Sequence, residues 1–318
     1  MASNNTAEPE PELEPVPDRS LPARLRLVAV VTCAVAAAVP ALWQLWTLVT
    51  VFSNRCLYPA DLEWMEGAQL VHAHRLLQGE PLYTACQSDM FIPFPYPPLH
   101  SVVLAGLGKI FGLGFGVGRG LSIGSLVVCG AVLVREISGA AVKAGERPRG
   151  LRRLTLRWLA PLFLGLLAIA AIAAGYPVVD SWYDLIRVDT MFLALVLTAA
   201  ALAADPEPPA PRAAASRDPG ARRPPWRLAR LLATAALLTA AFFTKQTAAF
   251  FLPWIILYVF WRDRRRGLLL GAVTALSGGS ILLLLQWATD GLYWTYTVTV
   301  LSRHFWIWEQ ARQNAQTP

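Results

Sequence analysis

Charged residues are scarce in this chain. Only 15% of its 318 residues are Asp, Glu, Lys or Arg, whereas 55% are hydrophobic. A soluble globular domain carries about 25% charged residues. The low charge excludes an ordinary soluble domain, because apolar surface in such excess needs lipid as its solvent. The composition therefore predicts an integral membrane protein.

Long apolar runs are the feature that the chain has in abundance. Runs of about 17 to 25 residues indicate transmembrane helices, and we predict an all-α, polytopic transmembrane helix bundle of about seven spans. No small-residue cleavage site follows the first run, which we interpret as a signal anchor. The predicted spans cover approximately residues 27–52, 117–137, 157–176, 188–204, 228–244, 247–261 and 267–288.

The basic residues predict the orientation of these spans. Loops rich in Lys and Arg face the cytoplasm, which places the N-terminus inside and the C-terminus outside a bacterial-type inner membrane. This distribution accounts for the net charge of +7 without nucleic acid. The basic segments also lack the interleaved aromatic residues of a nucleic-acid-binding groove. They lie at residues 19–26, 135–157, 212–230 and 262–266.

The segments outside the spans divide the chain further. Residues 1–20 are predicted to be a disordered cytoplasmic tail, and the Pro/Ala/Arg-rich residues 205–227 a disordered cytoplasmic linker. A transmembrane core covers residues 21–300, and an outside segment, 301–318, follows.

The first outside loop, residues 53–116, is long for a simple connection. We predict interfacial helices at residues 64–78 and 98–113 within it, since Lys109 disfavours a membrane span there. Cys56 and Cys86 both lie in this loop, where an oxidising compartment permits a disulfide. The sequence leaves open whether they form one.

Acidic residues gather at the outer ends of the spans. Asp61, Glu63 and Glu66 lie in the first outside loop, and Asp184 and Asp189 lie in the second. If the loops pack together, a carboxylate can accept the proton of an acceptor hydroxyl as a general base. Two basic residues on the same side are suited to neutralising a phosphate leaving group. They are Arg187 and Lys245.

Each of these residues also has a purely structural interpretation. An acid at a helix start, such as Asp61 or Asp184, caps backbone N–H groups and favours the positive end of the helix dipole. Arg187 and Asp189 are also compatible with a plain interfacial ion pair. Lys245 is also compatible with a side chain that extends to the lipid headgroups.

The first outside loop contains two further patterns. Residues 96–98, Tyr-Pro-Pro, predict at least a rigid turn that starts a helix. His72 and His74 are two residues apart on a predicted helix, so they point in different directions, which argues against a shared metal. The sequence therefore leaves the metal requirement unknown. A divalent metal is the one cofactor that it suggests.

Several ordered motifs sharpen this interpretation. Together they resemble the multi-spanning glycosyltransferases of the C superfamily, which include protein O-mannosyltransferases and the lipid A aminoarabinose transferase. The resemblance covers about residues 55–255 and is greatest to an uncharacterised bacterial branch. The motifs are DLEWMEGA, RLLQGEPLY, FPYPPL, IFG, GRGLS, WYDLIRVDTMFLAL and FFTKQTA.

The resemblance implies a reaction. Family members transfer a sugar from a polyprenyl-phosphate donor to a lipid, glycan or protein acceptor, with inversion by direct displacement. Carried onto this sequence, it implies that the catalytic base is Glu66 or Asp61, and then Glu63. It also implies a set of substrate-binding residues, some of which help to hold a metal where members use one. This set comprises Tyr96, Asp184, Arg187, Asp189 and Lys245.

The resemblance has one departure, and two rival functions stay open. Family members continue through further spans or an outside domain, whereas this sequence stops at Pro318, so we expect a truncated product, a minimal core or half of a split enzyme.

A transporter or lipid flippase is the first rival function; the spans lack the midplane charges and the internal repeat typical of transporters. A non-catalytic membrane scaffold is the second.

Overall fold

A computed structural model describes residues 23–85, 94–144, 160–204, 225–303 and 312 of the chain. These residues are helical with short connections and contain no β-strand, which confirms the all-α prediction. The predicted tail 1–20 and Cys86 lie outside the described residues, as do 205–224 of the predicted linker. Residues 225–227 of that linker are helical, and 301–303 and 312 are described in the predicted C-terminal segment.

Ten helical segments are described, and we number them in chain order. The first five are α1 (Ala23–Cys56), α2 (Met65–Leu77), α3 (Leu99–Phe111), α4 (Phe115–Ala144) and α5 (Ala160–Ala174), the last followed by a 3₁₀ turn (Pro177–Val179). The others are α6 (Val188–Ala204), α7 (Pro225–Thr244), α8 (Ala248–Arg262), α9 (Arg264–Ala288) and α10 (292–302), which contains a π-helical stretch (Thr295–Thr299).

Five of the described helices are long and apolar enough to cross a membrane, so the chain is an integral membrane protein. The other two predicted spans correspond to α6 and α8, which have 17 and 15 residues. At about 1.5 Å per residue they measure roughly 25 and 22 Å, short of a hydrocarbon core of about 30 Å. Seven spans therefore stay a prediction. The five candidate spans are Val31–Cys56, Phe115–Gly139, Pro161–Val179, Arg227–Thr244 and Arg264–Ala288, of which the third comprises most of α5 and the 3₁₀ turn after it.

The helices at the predicted interface are present. The structure has α2 and α3 where residues 64–78 and 98–113 predicted helices. Helix α3 ends at Gly112, whose φ of 86° favours glycine. Helices α2 and α3 pack against each other through small and branched side chains, including Ala73, Leu104 and Ala105. Together they form a short helical layer beside the long helices.

The long helices pack side by side in a defined order. Helix α1 packs on α5, α5 on α4, α4 on α6, and α6 on α7, which contacts α8 and α9. Alanine is frequent at the tightest contacts, for example Ala199 against Ala235, because small residues let helix backbones approach closely. This order brings the ends of α1, α4, α6 and α7 together at one end of the bundle, where the candidate site lies.

Candidate functional site

The two acidic loops pack against each other at one end of the bundle. The Glu66 carboxylate in the first loop accepts a hydrogen bond from the backbone N–H of Ile186 in the second, at 3.1 Å. Glu63 lies 3.4 Å from the Arg187 guanidinium. The packing that the general-base argument required is therefore present in the structure.

Glu66 and Arg119 form a fully buried ion pair, which we call the buried clamp. The Nε and Nη2 atoms of Arg119 donate to the two carboxylate oxygens of Glu66, at 2.9 and 2.8 Å. Both side chains have no exposed surface. This bidentate geometry is the strong form of the Arg–carboxylate interaction.

The buried clamp also joins four parts of the chain. Arg119, near the start of α4, donates to the backbone carbonyls of Arg55, Tyr58 and Ala60, at 2.6 to 2.8 Å, where α1 ends. Glu66, at the start of α2, accepts from the backbone N–H of Leu62 as well as that of Ile186. These bonds fix the ends of α1, α2 and α4 and the loop before α6 relative to one another.

This geometry disfavours Glu66 as a catalytic base. Burial by itself raises the pKa of Glu66, but the bonds from Arg119, Leu62 and Ile186 outweigh it, so the pKa lies below its ordinary value. A carboxylate that is ionised, fully bonded and 0% exposed cannot reach a substrate hydroxyl. Glu66 instead positions the loops, and Asp61 and Glu63 are left as candidates.

Asp61 is the more accessible of these two acids. Its side chain is exposed and forms no ion pair within the described part of the chain. The carboxylate lies over Gly67, where a Cβ would be only 3.0 Å from the Asp61 Oδ1. Gly67 therefore allows Asp61 to lie against the first turn of α2, at the positive end of that helix.

A second set of charges, which we call the rim cluster, consists of Glu63, Arg187, Asp189 and Lys245. The Arg187 Nη1 lies 3.4 Å from Glu63, the Arg187 Nε lies 3.1 Å from Asp189, and the Lys245 Nζ lies 2.5 Å from Asp189. The four side chains are 9 to 31% exposed. The rim cluster thus combines two cations and two anions, of which Arg187 is nearly buried and the other three are partly exposed.

Neighbouring residues fix the rim cluster in place. The Arg187 guanidinium lies over the Trp182 ring, 3.8 Å from its centroid. The Gln246 amide, next to Lys245, donates to the backbone carbonyl of Pro95 at 2.9 Å. Burial raises the pKa of Tyr96, and the Asp189 charge raises it further, whereas the Arg187 charge lowers it. The FPYPPL and FFTKQTA motifs are thus held together.

Asp184 lies in a separate buried group. It is 0% exposed and accepts from the Tyr176 hydroxyl at 2.8 Å, and its Oδ2 lies 3.2 Å from the Arg55 Nε. Burial raises the pKa of Asp184 more than these partners lower it. The geometry disfavours the prediction that Asp184 contacts substrate, because its contacts join α1 to the loop after α5.

A metal site is also disfavoured. Within the described residues no group of three or more His, Cys, Asp or Glu side chains is placed to hold an ion. Glu63 and Asp189, the two carboxylates of the rim cluster, are already paired with Arg187 and Lys245. Two neutralised carboxylates fit poorly with the ligand set of Mg²⁺ or Ca²⁺, so a metal requirement stays an open prediction.

Two apolar grooves border α3. The larger, about 750 Å³, lies between α3, α4 and α6, and Met191 in its wall is two residues from Asp189. The smaller, about 430 Å³, lies between α3, α7 and α9, and Phe243 in its wall is two residues from Lys245. Each groove is therefore lined by a helix, α6 or α7, that also reaches the rim cluster.

Sequence reasoning missed Arg119, Arg55 and His100. Arg119 carried a usable signal, because a lone cation near the start of an apolar helix requires a buried partner.

Chemically, the site offers cations for a phosphate, an exposed carboxylate for a proton, and apolar grooves for lipid chains. No family model, curated protein or solved structure matches this chain.

Proposed function

We propose that this chain is a membrane glycosyltransferase that moves a sugar from a polyprenyl-phosphate donor to a lipid, glycan or protein acceptor. The reaction takes place at the outer face of a bacterial-type inner membrane, with the N-terminus cytoplasmic and the C-terminus outside. One observation carries the proposal. The rim cluster lies at the start of α6 and the end of α7, and these two helices also line the two apolar grooves.

The cations of the rim cluster bind the donor phosphate in this proposal. Arg187 and Lys245 share Asp189 as a partner, and both retain exposed surface. A phosphate that binds between them replaces part of that interaction. When the bond between the sugar and the phosphate breaks, negative charge develops on the leaving oxygen. Fixed cations stabilise this charge more than they stabilise the ground state.

Asp61 is the catalytic base in this proposal. Its carboxylate takes the proton from the acceptor hydroxyl while that oxygen attacks the anomeric carbon from the face opposite the phosphate. The new carbon–oxygen bond forms as the bond to phosphate breaks, and polyprenyl phosphate leaves with the electron pair. The anomeric centre is inverted. Exposure, and the absence of an ion pair within the described residues, favour Asp61 over Glu63 and Glu66.

The test is sugar transfer in membranes that contain the intact chain. Radiolabelled polyprenyl phosphates carrying mannose, glucose or arabinose serve as donors, and a membrane extract supplies acceptors. The variants are Asp61→Asn, Glu63→Gln and Glu66→Gln, compared at equal amounts of folded protein. We expect transfer by the wild type and its loss, about 10²-fold or more, in Asp61→Asn.

Two other results are informative. Loss in Glu63→Gln with full activity in Asp61→Asn moves the base to Glu63 and preserves the proposed reaction. Label that never exceeds the level of empty membranes, with any donor and with divalent metal added, contradicts the proposal. That result favours a scaffold or a transporter.

A further inference from the structure

His100 is a buried histidine that none of the contacts described so far uses. It lies in the first turn of α3 and is 0% exposed. Neither ring nitrogen has a hydrogen-bond partner among the described residues. A neutral imidazole has one donor and one acceptor, and folded proteins rarely leave buried polar groups unpaired. The ring is therefore placed to bond to a group that is not among the described residues of the chain.

The position of His100 on α3 relates it to the larger groove. Leu107 and Phe111 line that groove. His100 precedes them by seven and eleven residues, which places all three on one face of the helix. The smaller groove is lined by Pro98, Leu99 and Val102, on the opposite face. His100 is not itself among the lining residues; it lies on the same face of α3, about two helical turns before Leu107, at the end of α3 that follows Pro95 and Tyr96.

Thr190 is a second unpaired polar group at the same end. It lies in the first turn of α6, is 4% exposed, and its hydroxyl has no partner among the described residues. It precedes Ala194, which lines the larger groove, by one helical turn. Two of the helices that line the groove, α3 and α6, therefore each carry in their first turn a buried polar group without a partner among the described residues.

The charge state of His100 indicates what kind of group it binds. Burial lowers the pKa of His100 to about 4, and the nearby Asp189 charge opposes this only in part. The ring is therefore neutral at pH 7 and offers one donor and one acceptor. This suits a sugar hydroxyl, which also donates and accepts. A phosphate, which only accepts, is better matched by Arg187 and Lys245.

We propose that His100 and Thr190 form the polar end of the larger groove and bind hydroxyl groups of a lipid-linked sugar whose chain lies along the apolar part. This inference rests on the proposed function for the identity of the lipid. It assigns the recognition of the sugar to His100 and Thr190, separately from the recognition of the phosphate by the rim cluster.

The experiment compares two kinds of probe with the full chain in bilayer nanodiscs. One probe is polyprenyl phosphate, and the others are polyprenyl phosphates carrying mannose, glucose or arabinose. We expect the wild type to bind at least one sugar-bearing probe more tightly than bare polyprenyl phosphate. His100→Phe removes this difference, a change of about tenfold in Kd, and leaves binding of the bare probe unchanged. His100→Asn, which keeps a donor and an acceptor, restores part of it.

Ser101→Ala is the matched control. The Ser101 hydroxyl is also buried and unpaired among the described residues, but the position is rotated around the helix by roughly 120° from Leu107 and roughly 80° from Phe111. We expect it to affect neither probe, and Thr190→Val to reduce the difference severalfold. Equal affinity of the wild type for all probes overturns the inference, and so does a His100→Phe variant that weakens all probes alike or none.

The results also separate this inference from the proposed function. A wild type that binds the sugar through His100 but transfers no label contradicts the proposed transfer reaction and supports the inference. A wild type that transfers sugar, while His100→Phe keeps full discrimination between the probes, supports the transfer reaction and overturns the inference alone. A wild type that binds no probe contradicts both.

Discussion

The buried clamp and the rim cluster contain the same types of residue but differ in what they bind. In the clamp, Arg119 and Glu66 have no exposed surface and bond to one another and to backbone groups at the end of α1, in the loop after it and in the loop before α6. In the rim cluster, Lys245 and Arg187 share Asp189 as an anion and keep exposed surface. Charges that are fully bonded hold the structure together, whereas charges that remain partly exposed are available to a ligand.

Arg119→Met gives the largest effect that this comparison predicts. The substitution leaves the Glu66 carboxylate and three backbone carbonyls buried without their partner. Breaking a buried ion pair by removing one partner lowers the free energy of unfolding by about 3–5 kcal/mol. Thermal unfolding of the purified chain in detergent measures this. Arg135→Met, at an exposed arginine of α4, is the control, and equal melting temperatures for the two variants contradict the assignment.

Lys245→Met is expected to lower the rate of sugar transfer strongly and the stability only slightly. The Lys245 side chain is 24% exposed, and partly exposed ion pairs contribute about 0–1 kcal/mol, so the melting temperature is expected to change little. Loss of a cation at the leaving phosphate lowers transfer about 10²- to 10³-fold. Lys109→Met, at an exposed lysine of α3, is the matched control for transfer. A large loss of stability in Lys245→Met, with full activity per folded molecule, assigns a structural role to the rim cluster.

The stability of Glu66→Gln as a function of pH tests the buried clamp. The folded pKa of Glu66 lies below its ordinary value of 4.5, so its contribution to stability is complete above about pH 4.5 and is lost as the pH falls through the folded pKa. At pH 7 we expect Glu66→Gln to be less stable by about 2 kcal/mol, because charge-assisted hydrogen bonds are lost. Melting curves between pH 7 and pH 3 are expected to converge. A difference in melting temperature between the wild type and Glu66→Gln that stays constant from pH 7 to pH 3 contradicts a stabilising role of the ionised Glu66 carboxylate.

Gly67→Ala gives the smallest effect in this series. An added Cβ lies 3.0 Å from the Asp61 Oδ1, so the carboxylate must shift by a few tenths of an ångström. We expect transfer to fall about tenfold with little change in stability, because a small displacement of a catalytic group is costly. Gly106→Ala, at a helical position with open space around it, keeps full activity. Equal activity of the two variants excludes Asp61 as the base.

The sequence predicted most of the helices but not all of their functions. Apolar runs and helical periodicity located α2, α3 and the five long helices, because both depend on local composition. The count of seven spans depends on α6 and α8, whose 17 and 15 residues are near the lower limit for a span. Length on that margin depends on tilt and on bilayer thickness, which sequence does not contain.

The candidate site was predictable in part. Asp189 and Lys245 were both identified as candidates, yet the contact between them spans 56 residues of sequence. The Glu66–Arg119 contact spans 53 residues, and no local pattern shows that two distant charges are partners. A partner cannot be assigned without the fold, so Glu66 was a first choice for the base. The sequence gives no signal for His100 either, because whether its two ring nitrogens have partners depends on the fold.

The most direct test of the account is chemical modification of Lys245 in the wild-type chain. An amine-acetylating reagent is added to bilayers with and without polyprenyl phosphate, and mass spectrometry compares labelling of Lys245 with that of the exposed Lys109. Because the phosphate is proposed to bind between Lys245 and Arg187, we expect polyprenyl phosphate to slow labelling of Lys245 severalfold and to leave labelling of Lys109 unchanged. Equal labelling of Lys245 with and without the lipid phosphate would contradict the central claim that the rim cluster is the substrate site.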